Sequence, residues 1–516
     1  MNGAELIIKT ALAAGIDTCF SNPGTTELPL VAALDSLPGI RPILGLFEGV
    51  CTGAADGYGR MLDKPAMTLL HLGAGLSNGL ANLHNAKRAH TPILNVIGEH
   101  ASWHLASDAP LIMDIQALAG TVSEWQRTCE SSSTLSSDTA DAVSAAMRGQ
   151  VSTLIVPHDY QWTQCDDRKV NVPQFSFDAV DQDSIDLVAS LLKDQEKTLL
   201  LLGGKALRKR GLQAAARISS ATGCDLLSET FFAHMERGAG IPQVGRLPYF
   251  PEHAIAALSK YQCVVLAGAK EPVAFFGYKD MPSRLLADNQ RVLHVGGGNQ
   301  NLPDVLECLS EAVGATQNSD LETKFYASSY EPAFPSGTLT REKVCAVLAN
   351  VQPEGAIIVD ESVTTGGSYY LLAASAPPHS LFTLTGGSIG QGMPCALGAA
   401  IACPDRPVID FQADGSAMYT MQSLWTQARE SLNVTTMICA NRGYDILRLE
   451  IVRSGYTPPG RNALSLMDLG DPVINWVKIS EGMGVPGVSV TTAEQLAEEL
   501  RTALAEPGPH LIEMVL

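Results

Sequence analysis

Two polar residues stand where a magnesium ion and a phosphate group could bind. Asp414 follows the predicted strand 407–411 and precedes Gly415, whereas Asn441 follows the predicted strand 434–439. The carboxyl ends of neighbouring parallel strands share one edge of a sheet, where open α/β sheets bind ligands. Carboxylate, amide and backbone carbonyl oxygens together suit Mg²⁺, which commonly shares such a site with phosphate. Either residue alone is more simply a turn residue, but the pair, joined by a strand–helix–strand connection, favours a site.

The residues after Asp414 indicate how a phosphate group would be received. Gly415 lets the backbone come close to a ligand, and Ser416 suits the N-cap of a helix that we predict over residues 417–430. Free N–H groups at the start of a helix favour phosphate oxygens.

Glu48 and His71 have the chemistry of acid–base groups. Glu48 begins a predicted helix rich in glycine and alanine, where a carboxylate either gains from the helix dipole or serves catalysis. The residues alone leave those two interpretations even. His71 ends a predicted strand beside glycines, which suits a proton carrier. A histidine that only bonds a nearby carbonyl is the structural alternative.

Short apolar segments alternate with helical ones along the chain, which is typical of βαβ units and parallel sheets. We therefore predict an α/β fold of three doubly wound, open parallel-sheet domains, at residues 1–165, 180–325 and 338–516. The main predicted strands are 18–20, 66–71, 93–97, 153–156, 198–202, 263–267, 291–295, 356–360, 407–411, 434–439 and 510–515.

The composition excludes several classes of partner. A net charge of −19 without a basic stretch argues against nucleic acid and gives no attraction to anionic membranes. No apolar run approaches the roughly 20 residues of a membrane span. The eleven cysteines form no C-x-x-C pair, so we expect neither a zinc ribbon nor a thioredoxin motif, and we predict a cytoplasmic protein.

The Asp414 segment, D-G-S-A, followed by Asn441 resembles the cofactor motif of thiamine-diphosphate-dependent enzymes. In that family the Asp and Asn side chains bind Mg²⁺ together with a backbone carbonyl, which by position is that of Gly443. The resemblance implies thiamine diphosphate and Mg²⁺ as cofactors. It also implies cofactor contacts for the neighbouring residues Gly415, Ser416 and Tyr444.

Two other segments carry the same resemblance. Glu48 precedes residues 54–60, A-A-D-G-Y-G-R, as the family's activating glutamate precedes a similar segment. That glutamate hydrogen-bonds the aminopyrimidine ring of the cofactor, whose nitrogen then removes the thiazolium proton. The glycine-dense residues 385–394 match the stretch that would offer the Gly387 carbonyl to this ring and the Ile389 side chain as a wedge under the bent cofactor.

Within the family, the chain resembles benzoylformate decarboxylases, with acetolactate synthase large subunits close behind. Residues 21–29, S-N-P-G-T-T-E-L-P, are similar to a decarboxylase segment and place Thr25 at an active-site serine. Its hydroxyl could bind a substrate carboxylate, cap a helix, or do both. His71 matches an active-site histidine. The resemblance therefore implies catalytic roles for both residues.

Weaker substrate-site candidates follow from the same likeness. His100 and His104 resemble a paired-histidine segment of pyruvate decarboxylases, although their spacing differs. Glu99 stands where relatives have glutamine, and Glu450 stands where the decarboxylase has an aromatic residue. Both carboxylates would make the pocket more acidic than a simple benzoylformate site, unless Arg448, Arg453 or a protonated state compensates.

The predicted function is a thiamine-diphosphate- and Mg²⁺-dependent decarboxylase or carboligase of 2-oxo acids. An acetolactate-synthase-type transferase that joins two 2-oxo acids is the alternative. The resemblance also implies a homodimer or homotetramer with the cofactor at the subunit interface. An alternative from another class is a nucleotide- or flavin-binding oxidoreductase that uses Gly203-Gly204 or residues 296–298.

Overall fold

The computed structural model describes residues 1–166, 172, 175–194, 197–315, 325–326 and 333–516. The chain divides into two compact units. The first contains residues 1–175, 333–370 and 384–516, and the second contains residues 176–332 and 371–383.

The first unit contains an N-terminal sheet of six parallel strands, whose central members are buried along their whole length because they are almost entirely apolar. In spatial order the strands are Arg41–Leu44, Thr18–Asn22, Ala66–Leu70, Ile93–Glu99, Val151–Pro157 and Trp125–Thr128.

A second group of five parallel strands in the same unit is formed by the C-terminal part of the chain. In spatial order these strands are Gly487–Val490, His510–Val515, Val434–Ala440, Val408–Ala413 and Ile357–Glu361. The strands that precede Asp414 and Asn441 are therefore direct neighbours, and both residues lie at one edge of the sheet.

Helices cover both sheets of the first unit. They are Gly3–Ala13, Leu28–Ser36, Glu48–Leu62, Leu72–Ala89, Ile115–Val122, Leu135–Ala146, His158–Trp162, Arg341–Val351, Gly392–Ala402, Asp414–Ala417, Ser423–Arg429, Asp445–Arg453, Arg461–Ser465, Trp476–Gly482 and Ala493–Ala505.

Helices Glu48–Leu62 and Gly392–Ala402 join the two halves of the first unit, and glycines allow their close approach. A Cβ atom on Gly57 would lie 2.0 Å from the carbonyl oxygen of Cys395. A Cβ atom on Gly398 would lie 1.8 Å from the carbonyl oxygen of Ala54. The backbones of these helices are thus in direct contact, which only glycine permits at these positions.

The second unit has its own parallel sheet, with strands in the order Gly245–Arg246, Asp225–Ser228, Thr198–Leu202, Cys263–Ala267 and Arg291–His294. Its helices are Gln182–Lys193, Lys209–Thr222, Pro251–Leu258 and Leu302–Ala312. The unit also contains an antiparallel pair formed by Met235–Arg237 and His379–Thr383.

The prediction of three parallel-sheet α/β domains is confirmed. The exact domain boundaries stay a prediction, and much of the segment between the second and third domains falls outside the described residues. The single helix predicted over 417–430 is wrong, because turns separate Asp414–Ala417 from Ser423–Arg429. At that break Thr420 Oγ1 donates to the Gly390 carbonyl, a long-range contact that helical periodicity does not reveal. Within the described residues, no helix is long and apolar enough to cross a membrane.

Candidate active site

Asp414 and the loop after Asn441 are bound directly to each other. The backbone N–H of Arg442 donates to Asp414 Oδ2 (2.7 Å), and that of Gly415 donates to Oδ1 (2.8 Å). Asn441 Oδ1 accepts from the N–H of Gly443 (3.1 Å). Two of the predicted metal ligands, the Asp414 carboxylate and the Asn441 amide oxygen, are thus held by N–H groups of the same loop, and we call this arrangement the oxygen cluster.

The electrostatics of Asp414 favour a cation beside it. Asp414 is almost completely buried, and burial raises the pKa of its carboxyl to about 6, against the opposing effect of the two N–H donors. A bound cation would favour the ionised form. No group of three or more His, Cys, Asp or Glu residues could hold a metal in the described part of the chain. A site of one carboxylate, one amide and one backbone carbonyl is instead typical of a hard cation that shares its ligands with phosphate.

The other residues of this motif surround the cluster. The Tyr444 ring lies against Gly415, where a Cβ atom would be 2.5 Å from Tyr444 Cε1. Ser416 accepts a hydrogen bond from Gln412 Nε2 (2.6 Å). The prediction that Ser416 is the N-cap is wrong, because the short helix begins at Asp414 and its N-cap is Ala413. The strand thus continues to Ala413, directly before the proposed ligand Asp414. The helix starts at Asp414, earlier than the preference of serine for the N-cap position indicated.

The glycine-dense segment 386–392 is held from two directions. Asn85 Nδ2 donates to the Ser388 carbonyl (2.7 Å), and Asn85 Oδ1 accepts from the Ser388 N–H (3.2 Å). On the other side, Glu361 accepts from the N–H groups of Gly390 (2.6 Å) and Gly392 (2.5 Å). Gly387 has a φ of +75°, so the turn that contains the predicted cofactor contacts favours glycine there.

Glu48 begins the helix Glu48–Leu62 and is half-buried. Its Oε2 accepts a hydrogen bond from Asn78 Nδ2 (2.9 Å), a residue of the helix Leu72–Ala89. Within the described residues, no hydrogen bond or ion pair joins Glu48 to Asp414 or Asn441. The predicted contact of Glu48 with a cofactor stays a prediction.

His71 is paired with a buried carboxylate that the sequence interpretation overlooked. His71 Nδ1 lies 2.8 Å from Glu27 Oε2 and 3.2 Å from Thr26 Oγ1. Glu27 is fully buried, whereas about a quarter of the His71 side chain is exposed. The residue after His71, Leu72, has a left-handed φ of +53°, a strained conformation for leucine. A carboxylate–imidazole pair with one open ring edge has the geometry of an acid–base group.

The two neighbouring threonines of this segment differ in position. Thr26 is buried and donates to Glu27 Oε1 (2.6 Å), whereas Thr25 is exposed. Thr25 begins a 3-10 helix whose N-cap is Gly24, so the capping role considered for Thr25 is wrong. Its predicted role as a substrate-binding hydroxyl stays a prediction. The residues E-L-P at the end of the segment 21–29 were the sequence signal that could have identified Glu27.

The weaker substrate-site candidates fall into two groups. His100 and His104 have ring centroids 5.6 Å apart, and burial together with the nearby His104 and His71 lowers the pKa of His100. Glu99 Oε1 accepts from the His100 N–H (2.7 Å), and burial raises the pKa of Glu99. Glu450 lies in the helix Asp445–Arg453 and pairs with Arg453 (3.6 Å), which offsets its charge. Substrate contacts of all four remain predictions.

Gly203 and Gly204, two of the glycines proposed for a nucleotide, lie beside a buried carboxyl group of the second unit. A Cβ atom on Gly203 would lie 2.7 Å from the Ala269 backbone and 2.8 Å from Glu229 Oε1. The N–H of Gly204 donates to that same carboxylate (3.3 Å), and burial raises the pKa of Glu229 to about 7. A buried carboxyl group facing the glycines disfavours a diphosphate there.

Comparison with known proteins agrees with the site in the first unit. Residues 364–514 match the family model "Thiamine pyrophosphate enzyme, C-terminal TPP binding domain", and residues 1–118 match the corresponding N-terminal TPP binding domain. The chain belongs to the thiamine pyrophosphate enzymes. The resemblance predicted from the sequence is confirmed, and the oxidoreductase alternative is not supported.

Individual relatives refine this placement. The chain is 49% identical, over 100% of its length and 99% of the relative's, to a Mycobacterium tuberculosis protein named "Putative acetolactate synthase large subunit IlvX". It is 27% identical to a benzoylformate decarboxylase of Pseudomonas aeruginosa, over 97% of the chain and 96% of that protein. Among solved structures, a 4-hydroxybenzoylformate decarboxylase of Rhodococcus jostii superposes with a TM-score of 0.82 at 24% identity, covering 100% of this chain and 99% of that one. At that identity the likeness to the solved structure concerns the fold.

Proposed function

We propose that the chain binds thiamine diphosphate together with Mg²⁺ and acts as a 2-oxo acid decarboxylase or carboligase. The observation that carries the proposal is the oxygen cluster formed by Asp414 and the loop after Asn441, at the ends of adjacent parallel strands. Thiamine diphosphate, when bound, supplies the electron sink for the bond that breaks when CO₂ leaves a 2-oxo acid. The protein contributes binding, orientation and proton transfer.

The residues of the oxygen cluster fit the diphosphate and its metal. Mg²⁺ would be held by the side chains of Asp414 and Asn441 and by the carbonyl of Gly443. The metal would replace the backbone N–H donors that bind the Asp414 and Asn441 oxygens. Tyr444 packs on Gly415 and limits the space beside the ligands. At the other part of the site, the Gly387 carbonyl and the Ile389 side chain would contact the aminopyrimidine.

Glu48 would hold a hydrogen bond at the aminopyrimidine ring. Asn78 already donates to Oε2, so this amide fixes the orientation of the carboxyl group. The other carboxyl oxygen, Oε1, then lies near Gly75. A carboxyl that is oriented by a second residue loses less entropy when it binds its target.

The pair of His71 and Glu27 favours proton delivery, and hence a decarboxylase that releases an aldehyde. If Nδ1–H donates to Glu27, Nε2 is left for exchange of a proton with the substrate. The acetolactate-synthase-type reaction is the second candidate, favoured by the relative that is 49% identical over the whole chain. The two reactions differ in whether the substrate carbon that loses CO₂ gains a proton or forms a bond to the carbonyl carbon of a second substrate.

We further propose that the active form is a homodimer or homotetramer of the cytoplasm. The likeness to thiamine-diphosphate-dependent enzymes, in which the cofactor lies between two subunits, supports this assembly. The eleven cysteines are all free, which suits a reducing compartment. Light scattering after size-exclusion chromatography, with and without cofactors, tests the assembly, and a monomer in both conditions would contradict it.

The function is tested by calorimetric titration of the apo-protein with thiamine diphosphate, with and without Mg²⁺, followed by product analysis with pyruvate and benzoylformate. We expect Mg²⁺-dependent binding, and aldehyde with CO₂ as the main products. An acetohydroxy acid as the main product would favour the transferase. No Mg²⁺-dependent binding would overturn the proposal.

A further inference from the structure

Glu361 is a buried carboxylate at the end of the strand Ile357–Glu361, with 3% of its surface exposed. Its two oxygens accept backbone N–H groups of a single turn. Oε1 accepts from Gly390 (2.6 Å), and Oε2 accepts from Gly392 (2.5 Å). Gln412 Nε2, on the adjacent strand, adds a side-chain donor to Oε2 (3.2 Å). The carboxylate thus bridges the sheet and the glycine-dense segment.

The turn that Glu361 holds has a conformation that needs external support. Gly387 and Gly390 have left-handed φ values of +75° and +94°, and the intervening Ile389 is the predicted wedge beneath the cofactor. Buried N–H groups require an acceptor, and the N–H groups of Gly390 and Gly392 find theirs in Glu361. Thr420 Oγ1 donates to the carbonyl of Gly390 (2.9 Å), so both the N–H and the C=O of Gly390 are hydrogen-bonded.

A second carboxyl group, Asp410, lies beside Glu361. Because the strands pair with Glu361 opposite Gln412, the side chains of Asp410, Gln412 and Glu361 share one face of the sheet. Asp410 Oδ1 and Glu361 Oε2 each lie 3.0 Å from the point where a Cβ atom on Gly392 would be. Asp410 is fully buried, and its carboxyl group interacts with the hydroxyl of Thr436, the residue opposite it on the neighbouring strand.

Two adjacent buried carboxyl groups repel each other when both are charged, so one of them holds its proton more tightly. Burial, with the Glu361 carboxylate as a further cause, raises the pKa of Asp410 well above its ordinary range. Burial also raises the pKa of Glu361, to about 7, but its N–H donors oppose that shift. Asp410 is therefore the neutral member, and Glu361 ionises first and accepts from the turn.

We propose that Glu361 is a positioning residue of the cofactor site, whose carboxylate holds the turn 389–392 in the conformation that presents Gly387 and Ile389 to the aminopyrimidine. This role rests on the proposed function, because it assumes that the turn contacts thiamine diphosphate. Glu361 itself touches neither substrate nor reacting atoms and acts through the backbone that it holds.

Glu361→Gln is the sharpest test, because the side chain keeps its size but presents an NH₂ group to one of the two N–H donors. Glu513→Gln is the matched control, since Glu513 is a buried glutamate on the strand His510–Val515 of the same sheet. We expect Glu361→Gln to weaken calorimetric thiamine diphosphate binding in Mg²⁺ by about ten- to a hundredfold, as loss of one charge-assisted hydrogen bond implies. The control should bind within about threefold of the wild type.

Amide hydrogen exchange of the apo-protein gives a readout that does not depend on the cofactor. We expect faster exchange in peptides that cover residues 386–392 of Glu361→Gln, and no change there in Glu513→Gln. Wild-type exchange and wild-type affinity in Glu361→Gln would overturn the positioning role. If the wild type itself binds no thiamine diphosphate, the proposed function fails, whereas altered exchange would still show that Glu361 holds the turn.

Glu361→Asp keeps the proposal falsifiable if Glu361→Gln does not fold. The shorter carboxylate retains its charge but cannot reach both N–H groups with the same geometry. We expect weaker binding of thiamine diphosphate and faster exchange over the same peptides, both in the same direction as for the glutamine variant. A folded Glu361→Asp protein with unchanged affinity and exchange would overturn the proposal.

Discussion

His71 Nδ1 lies 2.8 Å from Oε2 of Glu27, a carboxylate with no exposed surface. The same Oε2 accepts the N–H of Gly24 (2.8 Å), and Oε1 accepts the hydroxyl of Thr26 (2.6 Å). The carboxylate is thus fixed by its own segment before it meets the imidazole. It orients the ring through the contact at Nδ1.

Replacing Glu27 by Gln should impair proton transfer without removing the imidazole. We expect turnover to fall by about 10²-fold or more, because an oriented acid–base group contributes about 10²–10⁴-fold. The affinity for thiamine diphosphate should stay close to that of the wild type. Steady-state kinetics across pH checks this, and an unchanged profile with unchanged turnover would show that Glu27 is only structural.

The threonine pair separates a structural hydroxyl from a substrate-binding one. Thr26→Val removes a buried donor to Glu27 and should lower the free energy of unfolding by about 1–3 kcal/mol. Thr25→Val alters an exposed residue and should change stability by less than about 0.5 kcal/mol. If Thr25 binds the substrate carboxylate, its variant should instead raise KM. Denaturant unfolding and kinetics on both variants decide, and an unaltered KM would rule out that role for Thr25.

Asp414→Asn should abolish Mg²⁺-dependent cofactor binding, because it removes the only predicted ligand that carries a charge. We expect at least a hundredfold loss of affinity for thiamine diphosphate in Mg²⁺, or about 3 kcal/mol. Asp405→Asn is the control, since Asp405 is an exposed residue that precedes the opposite end of the strand Val408–Ala413. Calorimetry measures both variants, and full binding by Asp414→Asn would remove this residue from the metal site.

Gly392→Ala tests the packing beneath the glycine-dense turn. The added methyl group would lie 2.0 Å from Gln412 Oε1 and 3.0 Å from oxygens of Asp410 and Glu361. Overpacking of a buried site typically costs about 1–3 kcal/mol, so thermal unfolding should occur at a clearly lower temperature. Gly367→Ala serves as the control, because a methyl group there has no neighbour within 4 Å. Equal stability of the two variants would contradict the close packing at Gly392.

The pH dependence of the free energy of unfolding should reveal the ionisation of the buried Glu361. Burial raises its pKa from 4.5 to about 7, so the group stabilises the fold below about pH 4.5 and loses that contribution as the pH rises through about 7. Ionisation of this group should lower the free energy of unfolding by about 3 kcal/mol. Urea unfolding of the apo-protein at about pH 5 and about pH 8 should therefore show a weaker decline in Glu361→Gln than in the wild type. Parallel declines in the two proteins would refute the shift.

The sequence by itself determined the class of fold and the residues at strand ends. Apolar segments of strand length alternate with helices, and this pattern alone predicted parallel sheets. Asp414 and Asn441 could be placed at one sheet edge because parallel strands joined by a single helix are commonly neighbours. Motif likeness then identified Glu48 and His71, whose local segments are distinctive.

Only the tertiary structure decided which side chains support those residues. Glu27 reaches His71 from another element, Asn78 reaches Glu48 across two helices, and Glu361 reaches a turn that lies 29 positions further along the chain. The break after Ala417 and the helix start at Asp414 also follow from packing rather than from local propensity. Such contacts depend on the distance between side chains of packed elements, which neither the period of a pattern nor the type of a residue encodes.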